Sequence, residues 1–122
     1  MLSSRMSDIA DLAHRIRAFR DARDWMQFHN PKNLACSIVL EAAELLEHFQ
    51  WKTAEESEAY ARVPENKEEL STEIADVAVY LIELADNLGI DLHAAILRKM
   101  AINEAKYPVE KAKGSAAKYT EL

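Results

Sequence analysis

Apolar residues recur along this chain at spacings of three and four, the period of an α-helix rather than the alternation of a strand. Between Leu34 and Trp51, at about 100° per residue, Leu34, Ile38, Ala42, Leu45 and Phe49 share one face. Ala35, Val39 and Leu46 widen that face, and Leu40 and Trp51 lie across from it. From Glu69 to Leu88 a second face is made by Leu70, Ile74, Val77, Leu81, Ala85 and Leu88, with Ala75, Ala78, Val79 and Ile82 around it. A shorter stripe of Ile9, Leu12, Ile16 and Phe19 predicts a first helix over about Ser7 to Arg23. Ser7 would be its N-cap, with Asp8 and Asp11 complementing the helix dipole. Leu92, Ile96, Met100 and Ala101 or Ile102 predict a last helix over Leu92 to Lys106, capped by Asp91, after Gly89 has closed the preceding helix at its C′ position. The fold class expected is all-α: a four-helix-bundle subunit with antiparallel core helices. The two central helices are apolar round more of their circumference than one small bundle hides, so oligomerisation through apolar helix faces is also expected.

Each central helix is interrupted by a narrow acidic strip. On the first it holds Ser37, Glu41, Glu44 and His48; on the second, Glu73, Asp76 and Tyr80, with Glu69 and Glu83 near its ends. Carboxylates on a mostly buried helix are costly without a cation or donor nearby. Two helices that each carry a carboxylate pair at i, i+3 can bring four acids to one point, as a bundle-core metal site requires. Oxygen-only ligation by Glu41, Glu44, Glu73 and Asp76 points to a hard cation, Mg²⁺ or alternatively Mn²⁺.

The connections carry the remaining chemistry. Residues 24–33, DWMQFHNPKN, concentrate Trp25, Phe28 and His29 before Asn30-Pro31, which has the form of an N-cap followed by proline at the first helical position. By composition these aromatics cover the bundle end; the alternative is a stacking platform for a base. Residues 52–67 form a polar, acidic connection with room for a short helix around Glu55 to Ala61. Arg15, Arg17, Arg20 and Arg23 read as a solvated basic surface, with phosphate contact as the less favoured use. Lys99, Asn103 and Lys106 read as a solvated polar face. The tail after Pro108 is too polar for a core, though Tyr119 and Leu122 could dock it on a neighbour.

Composition narrows the class. The 122 residues suit a single domain, with residues 1–6 expected to be disordered, Met6 as an alternative start, and 109–122 as a tail. Hydrophobic residues at 49% argue against disorder, and two glycines with three prolines leave few turns for a β-rich fold. A net charge of −6 argues against binding a nucleic-acid polymer, yet leaves a nucleotide open because bound cations reverse the local potential. Cys36, the single cysteine, reads as a small core residue and suits a reducing compartment. No signal-peptide pattern or membrane-length apolar run is visible, so a cytoplasmic protein without membrane association is expected.

Three readings of the acid quartet compete. A di-iron bundle needs Glu-x-x-His, but the residue three before His48 is Leu45. A structural polar core would mix the acids with Lys or Arg, which neither strip carries. Mg²⁺ held for phosphate chemistry remains.

The segments EAAELLEHFQW and EELSTEIADVAVYLIELA resemble the ExxE and ExxD pair of the MazG-like, all-α NTP pyrophosphohydrolases. More narrowly, RDWMQFHNPKNLA, FQWK, KMAINEAKYPV and GSAAKYTEL resemble the dCTP pyrophosphatase group, in order over about residues 16 to 122. The resemblance implies Mg²⁺-dependent hydrolysis of a nucleoside triphosphate, foremost dCTP or a modified dCTP, to monophosphate and pyrophosphate. It matches Glu41, Glu44, Glu73 and Asp76 to metal ligands and Trp25, Gln27, Phe28, His29, Trp51 and Tyr80 to the nucleotide pocket. Lys99 and Asn103 match a pair that faces the phosphates. One departure is visible: some members carry a pocket histidine where this chain has Ile16, which puts base selectivity in question. Similar proteins form dimers or dimer-of-dimers tetramers, and a homotetramer is expected here; Cys36 and the serines lack an obvious base partner, so a metal-activated water rather than a side-chain nucleophile is expected. The alternatives are the same chemistry on dUTP or on a broad or damaged dNTP set, and a non-catalytic helical interaction module.

Overall fold

The computed structural model describes residues 8–122, and every regular element among them is helical. Ser7 as N-cap, the alternative start at Met6 and the expected disorder of residues 1–6 lie outside the described residues. The long helices are α1 (Asp8–Ala22), α2 (Pro31–Glu47), α4 (Pro64–Asn87) and α5 (Leu92–Lys106); α3 (Ala54–Arg62) and α6 (Val109–Ala112) are short. None of the described helices is long and apolar enough to cross a membrane.

Local chemistry sets the boundaries. Asn30 caps α2 by accepting the backbone N–H of Asn33 at 2.9 Å, with Pro31 at the first helical position. The connection after α2 holds a full helix, α3, because Thr53 and Glu56 form a reciprocal capping box: Glu56 N–H donates to Thr53 Oγ1 and Thr53 N–H to Glu56 Oε1. Pro64 then opens α4, five residues before the start expected from apolar periodicity. Gly89, at φ +69°, ends α4 in a Schellman turn in which Ile90 N–H reaches Ala85 O and Gly89 N–H reaches Asp86 O. Asp91 caps α5 by accepting from Ala94 N–H.

Helices α2 and α4 run antiparallel, since His29 meets Glu83 at one end of the pair and His48 meets Glu73 at the other. Helix α1 lies antiparallel along the far half of α4, pinned by a two-bond pair from Arg17 to Asp86 at 3.0 and 2.7 Å. The buried apolar core of the single chain is small: Ala13, Leu34, Leu70 and Ala85.

Several expectations of burial are corrected. Ile74, Leu81 and Leu88, placed on a core face by periodicity, are exposed, as are Val39, Leu40 and Leu46 on α2. The side of α4 turned towards α2 and α1 carries Leu70, Glu73, Val77, Tyr80 and Glu83 instead, so the acidic strip faces inwards and the apolar stripe outwards. Cys36 is exposed rather than a core residue. Trp51 stands beyond the end of α2 and is 87% exposed. Arg20, read as part of a solvated basic surface, is only 6% exposed, because it continues the inward stripe of Ala13 and Ile16.

Candidate metal and nucleotide site

Antiparallel packing of α2 on α4 sets the two acidic strips against each other. Carboxylate oxygens of Glu41, Glu73 and Asp76 lie within 4.8 Å of one another. Glu44, one turn after Glu41, is exposed and lies outside that set of three, but it stands close enough to Glu41 and Glu73 to add its charge to theirs. Oε2 of Glu41 and Oε2 of Glu73 are buried and satisfied by no hydrogen bond. Burial, followed by the neighbouring acids, holds the Glu41 carboxyl above its ordinary value. Glu73 is raised too, first by burial and then by Glu44, with His48 in partial opposition. Buried orphan oxygens, mutual repulsion and a purely oxygen donor set together fit a hard divalent cation.

Beside the acids a cleft of about 430 Å³ opens between α1 and α4. Asp76 belongs to both features: it is a member of the acid group and a lining residue of the cleft. The other lining residues are Ile16, Phe19, Trp25, Val79 and Tyr80 with the polar Arg15, Arg20, His29 and Glu83. Four rings run in succession along it. Phe19 meets Trp25 edge-on at 5.7 Å, Trp25 lies 6.2 Å from His29, and His29 meets Tyr80 edge-on at 6.4 Å. Trp25 is placed by the turn that ends α1: Asp24 takes a left-handed conformation at φ 55°, and Trp25 N–H reaches back to Arg20 O. This is a Schellman turn with its usual apolar contact, here Trp25 on Phe19. Burial, then the charges of Glu41, Asp76 and Glu83, raise the Tyr80 hydroxyl above its ordinary value, so it remains a donor at neutral pH.

Of the residues expected in the nucleotide pocket, Trp25, His29 and Tyr80 line the cleft. Gln27 does not; its amide donates to the backbone and side chain of Asp24 and braces the turn. Phe28 is exposed outside the cleft, but its carbonyl accepts from the side-chain amide of Asn33 at the start of α2. Trp51, Lys99 and Asn103 are exposed, and none of them lines the cleft or the acid group within this chain. Ile16, Phe19, Arg20, Val79 and Glu83, which the sequence places on packing stripes, a basic surface or the end of an acidic strip rather than in a pocket, are also lining residues. Their signal was present in the helical spacing: Arg20 lies four after Ile16, and Glu83 three after Tyr80.

A second, more open cleft lies across the acids and is lined by Glu44, Glu47, His48, Lys52, Tyr60 and Glu73. His48 Nδ1 is 2.7 Å from the Tyr60 hydroxyl, and its Nε2 is 3.9 Å from Glu73.

The family model for the MazG-like family matches residues 36–122. dCTP pyrophosphatase 1 from Bos taurus is 45% identical over 104 residues, which cover 85% of this chain and 62% of that protein. The Homo sapiens protein of the same name is also 45% identical, over 85% of this chain and 61% of its own length. The chain thus spans about three fifths of these relatives. A crystal structure of a pyrophosphatase from Archaeoglobus fulgidus superposes with a TM-score of 0.73 at 47% identity, covering 80% of this chain and 90% of that one.

Proposed function

The chain belongs to the MazG-like family, and from that premise and the geometry of the site we propose that it is a Mg²⁺-dependent nucleotide pyrophosphohydrolase. It would convert a deoxynucleoside triphosphate, foremost dCTP or a modified dCTP, to the monophosphate and pyrophosphate. The observation that carries this reading is the position of Asp76, shared between a cluster of cation-seeking carboxylates and an aromatic cleft. A nucleotide with its base in the cleft would bring its phosphates to the acids. The names of the relatives, dCTP pyrophosphatase 1, support the substrate class.

In this reading Glu41, Glu44, Glu73 and Asp76 hold the cation. A hard divalent ion there would offset the triphosphate charge and polarise its oxygens towards attack by water. Trp25, His29 and Tyr80 provide ring surface for the base, whose stacking is worth about 1–3 kcal/mol. The Tyr80 hydroxyl, kept protonated, donates towards the sugar or phosphate side of the cleft. A carboxylate of the cluster that is not fully engaged accepts the proton of the attacking water, and no side-chain nucleophile takes part.

Lys99, Asn103 and Trp51 are absent from the site of one chain, so we assign any role they have in the pocket to a homotetrameric assembly in which a neighbouring subunit completes it. Exposed apolar side chains on α2, α4 and α5 support such an assembly.

The direct test is pyrophosphate release from each dNTP, with Mg²⁺ and with chelator. Release that needs the metal and favours dCTP supports the reading. Metal-dependent release favouring dUTP or spread over all four keeps the chemistry and removes the substrate. Absence of release from any canonical or modified dNTP favours the interaction module.

A further inference from the structure

One buried carboxylate in the cleft has no part in holding the cation. Glu83 is 3% exposed and faces the cleft on the side of Tyr80 away from Asp76. It is held from two directions, by His29 Nδ1 at 2.7 Å and by Arg20 Nη1 at 3.6 Å, and both contacts fall on Oε2. Arg20 is itself anchored: its Nε and Nη2 pair with Asp21 at 2.9 and 2.8 Å, and its Nη1 donates to Asn87 Oδ1 at 2.8 Å. The carboxylate is therefore fixed by a buried guanidinium and an imidazole through Oε2, while Glu83 lines the cleft and neither of these contacts engages Oε1. Around it the cleft offers Ile16, Phe19, Trp25, Val79 and Tyr80, which supply surface but, apart from the Tyr80 hydroxyl and Trp25 N–H, no donor or acceptor.

We propose that Glu83 is a specificity-determining residue, whose Oε1 accepts a hydrogen bond from the exocyclic amine of an aminopyrimidine base and turns away keto pyrimidines. The inference rests on the nucleotide reading of the cleft. A carboxylate presents only acceptors, so it matches the amino group of cytosine and opposes the O4 carbonyl of uracil or thymine. Discrimination is strong when the mismatched base would leave a buried charge facing a carbonyl oxygen. The contacts from Arg20 and His29 fix the group without engaging both its oxygens, which is the preorganisation such selection requires. A cleft built only for packing would have no use for a fixed charge at its floor.

The test uses binding of dCMP and dUMP by calorimetry in chelator, so that it depends on neither the metal nor turnover. Wild type should bind dCMP at least about tenfold more tightly than dUMP. Gln at this position offers an acceptor and a donor and serves both bases, so Glu83→Gln should bring the two within about threefold. A second probe leaves the protein unaltered: the 2-pyrimidinone deoxynucleoside monophosphate, which lacks the amine, should bind wild type about tenfold more weakly than dCMP, and this decides the matter if Glu83→Gln does not fold. Equal binding of dCMP and dUMP by wild type, an unchanged ratio in folded Glu83→Gln, full affinity for the amine-free nucleotide, or no binding of any of the three overturns the proposal. Failure of the enzymatic reading would show separately, as absence of pyrophosphate release with Mg²⁺.

Discussion

Glu41 and Glu73 each bury an oxygen that no hydrogen bond satisfies, and both carboxyls are held above their ordinary value, chiefly by burial. The folded, metal-free protein therefore binds protons more tightly than the unfolded chain, and its stability falls as pH rises from the ordinary carboxylate range into the raised one. In chelator, the melting temperature should be higher at about pH 5 than at neutral pH, and Mg²⁺ should flatten that dependence; calorimetric scans across pH check it. Glu73→Gln should raise the metal-free melting temperature by a few degrees while lowering kcat at least about a hundredfold. A drop in both would mean that Glu73 is a structural partner of His48 and nothing more. On the opposite side of Asp76, Trp25→Ala should raise KM for the nucleotide about tenfold with a smaller change in kcat, because the ring binds the base alike in ground and transition states.

The elements place these side chains through their ends more than through their middles. Trp25 enters the cleft because α1 stops in a left-handed turn at Asp24. Asp24→Gly should leave stability and KM near wild type, whereas Asp24→Val, forced into the same conformation, should cost about 1–2 kcal/mol by denaturant titration and raise KM as the ring shifts. Within α1, Arg17 on Asp86 holds that carboxyl below its ordinary value, first through the hydrogen bond itself. This contribution is present at neutral pH and lost as pH falls through the lowered value. Much of this was legible in the residues: the Asn30-Pro31 start of α2, the Gly89 stop, the Asp91 cap and the convergence of two ExxE/ExxD strips. The extent of α3 was not, since Thr53 and Glu56 sit in a polar run without apolar periodicity and only their reciprocal bonding reveals the cap. In the sequence Arg20 reads as part of a solvated basic surface and Glu83 as the end of an acidic strip, because a charge on a helix is ordinarily solvated. Only the meeting of α1 with α4 shows that each is the other's buried neighbour.

For the whole molecule, periodicity identified faces that must be buried but could not say against what. Ile74, Leu81 and Leu88 form a stripe at seven-residue spacing on α4 that is exposed among the described residues, and Ile96, Leu97, Met100 and Ile102 are likewise exposed on α5. The chain exposes 9347 Å², against roughly 6600 Å² for a compact monomer of its mass. Sedimentation equilibrium should accordingly return a multiple of the 13.8 kDa chain mass, four for the assembly proposed, and a monomer at micromolar concentration would contradict it. What joins these scales is the claim that α2 and α4 bring four carboxylates together to hold a divalent cation. Calorimetric titration of Mn²⁺ into the metal-free protein, with wild type and Glu41→Gln in parallel, tests this most directly. We expect saturable binding to wild type and at least about a tenfold loss of affinity in a variant that remains folded. Equal affinity in the two proteins, or no saturable binding to wild type, would contradict it.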